Sequence, residues 1–214
     1  MIRVMNDILR AIDSRSEAVL VLLDLSSAFD TLDHQILLQR LKTRFGVEGS
    51  ALSWFRDYIT NRSQAVTVKN SSSSSRQLMY GVPQGSVLGP LLFTLYFAPV
   101  EDVIKAHGID CMLYADDIQL YVALKHTPDR SETISKLEGC VRDILTWCTN
   151  NKLSCNPSKT EIIHLSSRFR QCNPLPSVCV GPSTITPVSV ARDLGISVDH
   201  HLSMVPQINQ ICKS

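Results

Sequence analysis

Cys111-Met112-Leu113-Tyr114-Ala115-Asp116-Asp117-Ile118-Gln119-Leu120-Tyr121-Val122 decides how this chain is read. Two apolar segments flank Tyr114-Ala115-Asp116-Asp117, so the stretch predicts strand, tight turn, strand over residues 109–123. The tip of that hairpin carries adjacent carboxylates. Like charges this close push one another toward protonation unless a cation is near. Oxygen-only ligation points to Mg²⁺ or Mn²⁺ as that cation. A turn with two solvated aspartates would show the same tetrad, so its meaning depends on the rest of the chain.

Val19-Leu20-Val21-Leu22-Leu23-Asp24 supplies the context. A continuous apolar run suits a strand buried on both faces, or on one face beside a helix layer. A carboxylate at the end of such a strand is costly unless it reaches the surface, a partner or a metal. Asp24 could instead cap the next helix, but Asp33 and Thr31 lie nearer to the periodic segment Ile36-Leu37-Leu38-Leu41-Phe45. Asp24, Asp116 and Asp117 together compose the donor set of a two-metal site. Two cations about 4 Å apart can activate an attacking hydroxyl and stabilise the leaving oxygen of an in-line phosphoryl displacement.

At this point the residues carry a resemblance. Leu23-Asp24-Leu25-Ser26-Ser27-Ala28-Phe29-Asp30-Thr31-Leu32-Asp33-His34 resembles the first catalytic motif of the reverse transcriptases of non-LTR (LINE-type) retrotransposons. Gly81-Val82-Pro83-Gln84-Gly85-Ser86-Val87-Leu88-Gly89-Pro90-Leu91-Leu92-Phe93 resembles the second, and Tyr114-Ala115-Asp116-Asp117 the third. Lys152 to Glu161 resembles the fourth, and Asp193-Leu194-Gly195-Ile196-Ser197-Val198-Asp199 the fifth, the primer grip.

The resemblance implies roles residue by residue. Asp24 and Asp116 would hold two Mg²⁺ ions (or Mn²⁺), with Asp117 assisting and Leu25 offering its backbone carbonyl. Phe29 would lie under the sugar of the incoming nucleotide and exclude a 2′-hydroxyl, unless it is an ordinary core phenylalanine. Gln84, Gly85 and Tyr114 would border the substrates, and Gly85 would let the backbone approach closely. The glycines from Gly81 to Gly89 also read as turn residues before a helix. Lys159 would protonate departing pyrophosphate, or is a solvated lysine. The partners implied are an RNA template, a DNA primer and deoxynucleoside triphosphates.

Composition bounds the alternatives. With 44% hydrophobic and 19% charged residues, the chain is of the folding kind rather than the disordered kind. A net charge of +1 gives little support for nucleic-acid binding, which usually draws on a clear Lys/Arg excess. Arg40, Lys42 and Arg44 read as a solvated helix face, and Arg168 and Arg170 as a smaller basic cluster. The seven cysteines show neither CxxC pairs nor zinc-knuckle spacing, which suits a reduced intracellular protein of nucleus or cytoplasm. His200-His201 reads as exposed. No signal peptide or membrane-length apolar run is visible, so no membrane partner is expected.

Periodicity predicts helices over 1–13, 33–45, 49–60, 88–106 and 131–151. The first would turn Ile2, Met5, Ile8, Leu9 and Ile12 inward. In the third, Leu52, Phe55 and Ile59 form one stripe, and Trp54 and Tyr58 an adjoining one, read as core rather than as a ligand platform. Strands are expected at 18–24, 64–69, 76–80 and 160–165, with 71–75 a polar hairpin loop. Residues 173–187 read as irregular around a Gly181-Pro182 turn, before a last hairpin near 188–198.

The fold class is α+β: a polymerase palm, an antiparallel sheet with helices packed on one face, plus partial fingers. Residues 1–200 would form palm and partial fingers, with 33–80 the fingers side, and 201–214 the start of a connection to a thumb. Only residues 1–17 precede the first strand, so upstream finger motifs, thumb and endonuclease are expected to be lacking or supplied in trans. Two readings follow. One is an RNA-directed DNA polymerase core; the other is a catalytically inactive, truncated palm remnant with at most weak nucleic-acid binding.

Overall fold

A computed structural model describes residues 2–83, 85–124, 130–170 and 172–213. Helix α1 (Ile2–Asp13) leads into strand β1 (Glu17–Ser26). Helix α2 (His34–Phe45) starts at Asp33, whose carboxylate accepts from the N–H groups of Gln35 and Ile36, and it stops at Gly46 with φ of 66°. Helix α3 (Gly49–Ile59) follows. Next come β2 (Arg62–Gln64), β3 (Thr67–Val68), β4 (Ser71–Ser72) and β5 (Arg76–Leu78). Helices α4 (Gly89–Phe97) and α5 (Val100–Ala106) precede β6 (Asp110–Tyr114) and β7 (Asp117–Leu124). After α6 (Ser131–Asn150) the chain forms β8 (Ser154–Cys155), a 3₁₀ turn at Pro157–Lys159, and β9 (Glu161–Leu165). Hairpins β10 (Val178–Val180)–β11 (Ser183–Ile185) and β12 (Val190–Asp193)–β13 (Ile196–Asp199) precede α7 (Val205–Lys213).

Two compact units result: residues 1–25, 100–146 and 155–214, and residues 26–99 with 147–154. The first is built on a five-stranded sheet ordered β6-β7-β1-β8, with β9 also paired to β1. The pairs β1–β7, β1–β9 and β6–β7 are antiparallel. On one face Ala18, Leu20, Tyr121, Ile163 and Leu165 bury themselves with Val4 and Ile8 of α1 and with Ala191 and Val198 of the last hairpin. Residues of opposite parity, Val19, Val21 and Leu23, are equally buried. The apolar run is thus a strand buried on both faces, and truncating Leu20 to Ala would cost about 2–5 kcal/mol. At the start of β1, buried Glu17 is held by Arg130 at 2.8 Å and His164 at 2.6 Å.

The second unit packs Leu37 and Leu41 of α2 with Leu92, Phe93, Tyr96 and Phe97 of α4 among its buried residues. Arg40 lies 4.8 Å over the Tyr96 ring and donates to the Tyr96 carbonyl and, at 2.6 Å, to Asn151 Oδ1. It is therefore a cross-link and not part of a solvated face.

Several expectations need correction. The helix predicted over 88–106 is two helices, divided at Pro99, which lacks an N–H to donate. The helix α1 stripe is Val4, Ile8 and half-buried Met5 and Ile12; Ile2 and Leu9 are exposed, because the i, i+4 line through Val4 and Ile8 faces the sheet. The serine run is not all loop: Ser71 and Ser72 pair with Val68 and Thr67, and the tip falls at Lys69, with φ of 54°. Residues 178–185 form a hairpin around Gly181 rather than an irregular stretch. His201 is half-buried and bonded to the Ser166 carbonyl. Trp54 is 53% exposed and so is not core.

Candidate active site

Strand register brings the carboxylates together. Asp24 near the end of β1 is the direct cross-strand partner of Asp117, the first residue of β7. Tyr114 pairs with Asp117 across the β6–β7 hairpin, which leaves Ala115 and Asp116 as its two-residue turn. Ala115 adopts φ of 52°. A non-glycine residue there stores about 1–3 kcal/mol of strain. The strain is tolerated at the point where the backbone must reverse to hold Asp116 beside Asp117.

Charge accumulates at this end of the sheet. Burial first, then the charges of Asp116 and Asp24, push the Asp117 carboxyl above the usual carboxylate range. One cation already answers that charge: Lys159 Nζ donates to Asp24 Oδ2 at 3.1 Å. The lysine is 62% exposed, so this pair contributes less than about 1 kcal/mol and can be exchanged readily. Leu25 follows Asp24 on β1 with its side chain buried. Tyr114 is exposed beside the turn.

The remaining predicted residues belong to the second unit. Phe29 is half-buried, its ring 4.9 Å from that of fully buried Phe93. The Phe29 carbonyl accepts from Val82 N–H at 2.9 Å, and Gly81 N–H donates to Leu32 O at 2.7 Å. Gly81 has φ of +84°, and a Cβ there would sit 2.9 Å from Asp30 O. Only glycine lets the segments around Phe29 and Val82 approach this closely. Gly85 has φ of +77° with open space around its Cα, so conformation rather than crowding favours glycine. Ser86 Oγ donates to Pro83 O and accepts from Gly89 N–H, fixing the start of α4. Gln84 lies outside the described residues.

The chain matches known proteins along most of its length. The family described as "Reverse transcriptase (RNA-dependent DNA polymerase)" matches residues 2–193. The chain belongs to the reverse transcriptase family. It is 31% identical over 213 residues to a probable RNA-directed DNA polymerase from transposon BS of Drosophila melanogaster, covering 96% of this chain and 23% of that protein. It is 27% identical over 215 residues to the RNA-directed DNA polymerase from mobile element jockey of the same species, covering 98% of this chain and 22% of that one. The chain thus spans about a quarter of the length of these relatives, as a reverse transcriptase domain of the non-LTR group. Among solved structures, apo telomerase from Candida tropicalis superposes with a TM-score of 0.62 at 11% identity, over 95% of this chain and 36% of that one. Telomerase from Candida albicans, in complex with a TWJ fragment of telomeric RNA, gives 0.59 at 15% identity, over 90% of this chain and 34% of that one. The fold is a polymerase palm.

Reverse transcriptases as a family use divalent metal ions, and the donor chemistry here fits. Asp24, Asp116 and Asp117 offer oxygen only, and the raised Asp117 carboxyl marks negative charge that a cation would relieve. Yet among the described residues no group of three or more His, Cys, Asp or Glu side chains is arranged to hold a metal ion. The register gathers the aspartates without forming a finished chelate.

The reverse transcriptase domain is also held together by residues that the motif reading did not single out. Asn156 donates its N–H to Asp24 O at 2.9 Å and caps the 3₁₀ turn by accepting from Ser158 N–H at 3.1 Å. It thereby fixes where Lys159 starts its reach toward Asp24. An Asn just before Pro157 is a turn signal, but its partner is set by tertiary structure. Buried Gln119, two residues beyond Asp117, donates to Asp193 Oδ1 at 2.6 Å and ties the last hairpin to β7. His34, 7% exposed, donates to Gly81 O at 2.7 Å.

Proposed function

We propose that this domain catalyses RNA-directed DNA synthesis: transfer of a nucleotide from a deoxynucleoside triphosphate to a primer 3′-hydroxyl on an RNA template. The observation that carries the reading is the direct pairing of Asp24 with Asp117, with Asp116 on the adjoining turn. In the reaction the primer oxygen bonds to the α-phosphorus, the bond to pyrophosphate breaks, the hydroxyl loses its proton and pyrophosphate gains one.

Asp24, Asp116, Asp117 and the Leu25 carbonyl would hold two Mg²⁺ ions, or Mn²⁺. When bound, such ions favour ionisation of the primer hydroxyl and neutralise charge on the phosphates. Lys159, released from Asp24, would supply the proton that pyrophosphate takes. The Phe29 ring, backed by Phe93, would form the wall that rejects a 2′-hydroxyl. Gly85, Gln84 and Tyr114 would border template and nucleotide. The remainder of a longer polyprotein, in cis or in trans, would clamp the substrates, and the site of action would lie inside the cell.

The pairing of Lys159 with Asp24, which fills one carboxylate oxygen, favours a second reading, a catalytically inactive palm with at most weak nucleic-acid binding. Primer extension on an annealed RNA template, comparing the chain with Asp116→Asn, separates them. Extension that disappears in the variant supports catalysis. Extension that survives it rules out this site. No extension by either folded protein leaves the binding reading standing.

A further inference from the structure

Trp54, Tyr58 and Arg62 form a column along one side of α3 and into β2. The spacing of four residues sets each ring above the next on a helix. The Trp54 and Tyr58 rings are stacked, with centroids 5.5 Å apart and planes 11° from parallel. Phe55 braces Trp54 edge-on at 5.2 Å. The Arg62 guanidinium carbon lies 5.8 Å from the Tyr58 centroid, and Nη1 donates to the Tyr58 carbonyl at 3.3 Å. The column stands apart from the core face of α3, where Ile59 is 1% exposed while Trp54 is 53% exposed.

The column ends at a hollow of about 650 Å³ whose lining includes Arg62, Gln64, Tyr80 and Pro83, with Asp30 as its one acid. Tyr80 is itself exposed. Charge is distributed to match. The unit of residues 26–99 and 147–154 holds eight of the chain's 21 lysines and arginines but only four of its 20 acids. The near-neutral total conceals a basic unit and an acidic one.

We infer that Trp54, Tyr58 and Arg62 are a stacking platform for a single strand of nucleic acid. Aromatic faces that take any base, continued by a guanidinium at the mouth of a polar hollow in a basic unit, are the groups such strands need. A base stacks on the outer face of Trp54, and the strand's phosphates run past Arg62 into the hollow. The excess of positive charge favours a polyanion over a protein partner. This inference rests on the proposed reading only in that the domain works on a nucleic-acid template; it requires no catalysis.

The test uses the chain with Trp147→Phe, which leaves Trp54 as the lone tryptophan. A single-stranded 12-nucleotide oligouridine, about the size such grooves span, is titrated without Mg²⁺ or nucleotides, and tryptophan quenching and anisotropy of the labelled strand are followed. The expected result is saturable quenching of Trp54. Trp54→Ala and Arg62→Ala then weaken binding roughly 5- to 150-fold, and Trp54→Phe restores most of it. Binding unchanged by Trp54→Ala in a protein with an unaltered circular dichroism spectrum overturns the platform. So does duplex RNA bound as tightly without quenching, which backbone charge alone would explain, and so does capture of a protein at this face with no affinity for the oligonucleotide. Loss of primer extension with this binding intact would count against the catalytic reading and not against the platform.

Discussion

Lys159 Nζ sits 3.1 Å from Asp24 Oδ2 although 135 positions separate the two residues in the chain. The ammonium occupies a carboxylate oxygen that a divalent ion would need. Lys159→Met should therefore tighten Mn²⁺ binding several-fold, read by calorimetry or by the free-ion spin resonance signal. In the same variant primer extension should fall by about 100-fold or more, the usual weight of a general acid. Unchanged ion affinity would show that the pair does not compete with the metal.

Asp117 titrates above the ordinary carboxylate range because of burial, Asp116 and Asp24. A raised acid stabilises the fold only below its unfolded value, and that contribution is lost as pH rises through the folded one. At neutral pH without divalent ions Asp117 thus costs stability. Asp117→Asn should raise the melting temperature at pH 7 and change it little at pH 3. Removing a neighbouring charge with Asp116→Asn should move the Asp117 titration down, as read by carboxyl NMR.

Asp193 and Asp199 terminate the two strands of one hairpin and respond to pH in opposite senses. Burial pushes the Asp193 carboxyl up, and among the described residues its Oδ2 has no hydrogen-bond partner. Burial also opposes ionisation of Asp199, but donors from the backbone of Ser203, His201 and Met204 and the Ser203 hydroxyl prevail and hold it low. Stability from Asp199 is present above its unfolded value and lost as pH falls through the folded one; stability from Asp193 is lost as pH rises. Asp199→Asn should lower the melting temperature at pH 7 and Asp193→Asn should not. A scan from pH 3 to pH 8 with matching slopes for both variants would refute the assignment.

Gly81→Ala should destabilise the unit of residues 26–99 and 147–154. Its φ of +84° alone imposes about 1–3 kcal/mol on alanine, and the Cβ would meet the Asp30 and Phe29 carbonyl oxygens. Urea denaturation should show the loss. Gly85→Ala should lose only the conformational part, since nothing lies within 4 Å of its would-be Cβ.

Much of this was legible in one dimension because it depends on neighbours in sequence. Asp33 caps α2 through groups two and three residues away, and Gly46 ends it. The Tyr114–Asp117 turn is likewise local. Trp54 was misread because periodicity groups residues by helix face but does not say which face finds a partner. Arg40 was misread for the complementary reason: a charged residue on a helix is buried only where another segment brings acceptors, here Tyr96 and Asn151.

By itself the sequence determined the family and most of the elements around the motifs, and it singled out the three aspartates, since motif residues and short-range turn chemistry are written locally. Tertiary structure alone decided that Asp24 faces Asp117, that Lys159 rather than another cation engages Asp24, that Gln119 holds Asp193, and that an aromatic column is left outside the core. Strand register and burial are collective results of packing distant segments, and a slip of one residue in β1 would turn Asp24 to the opposite face without changing a letter of the chain.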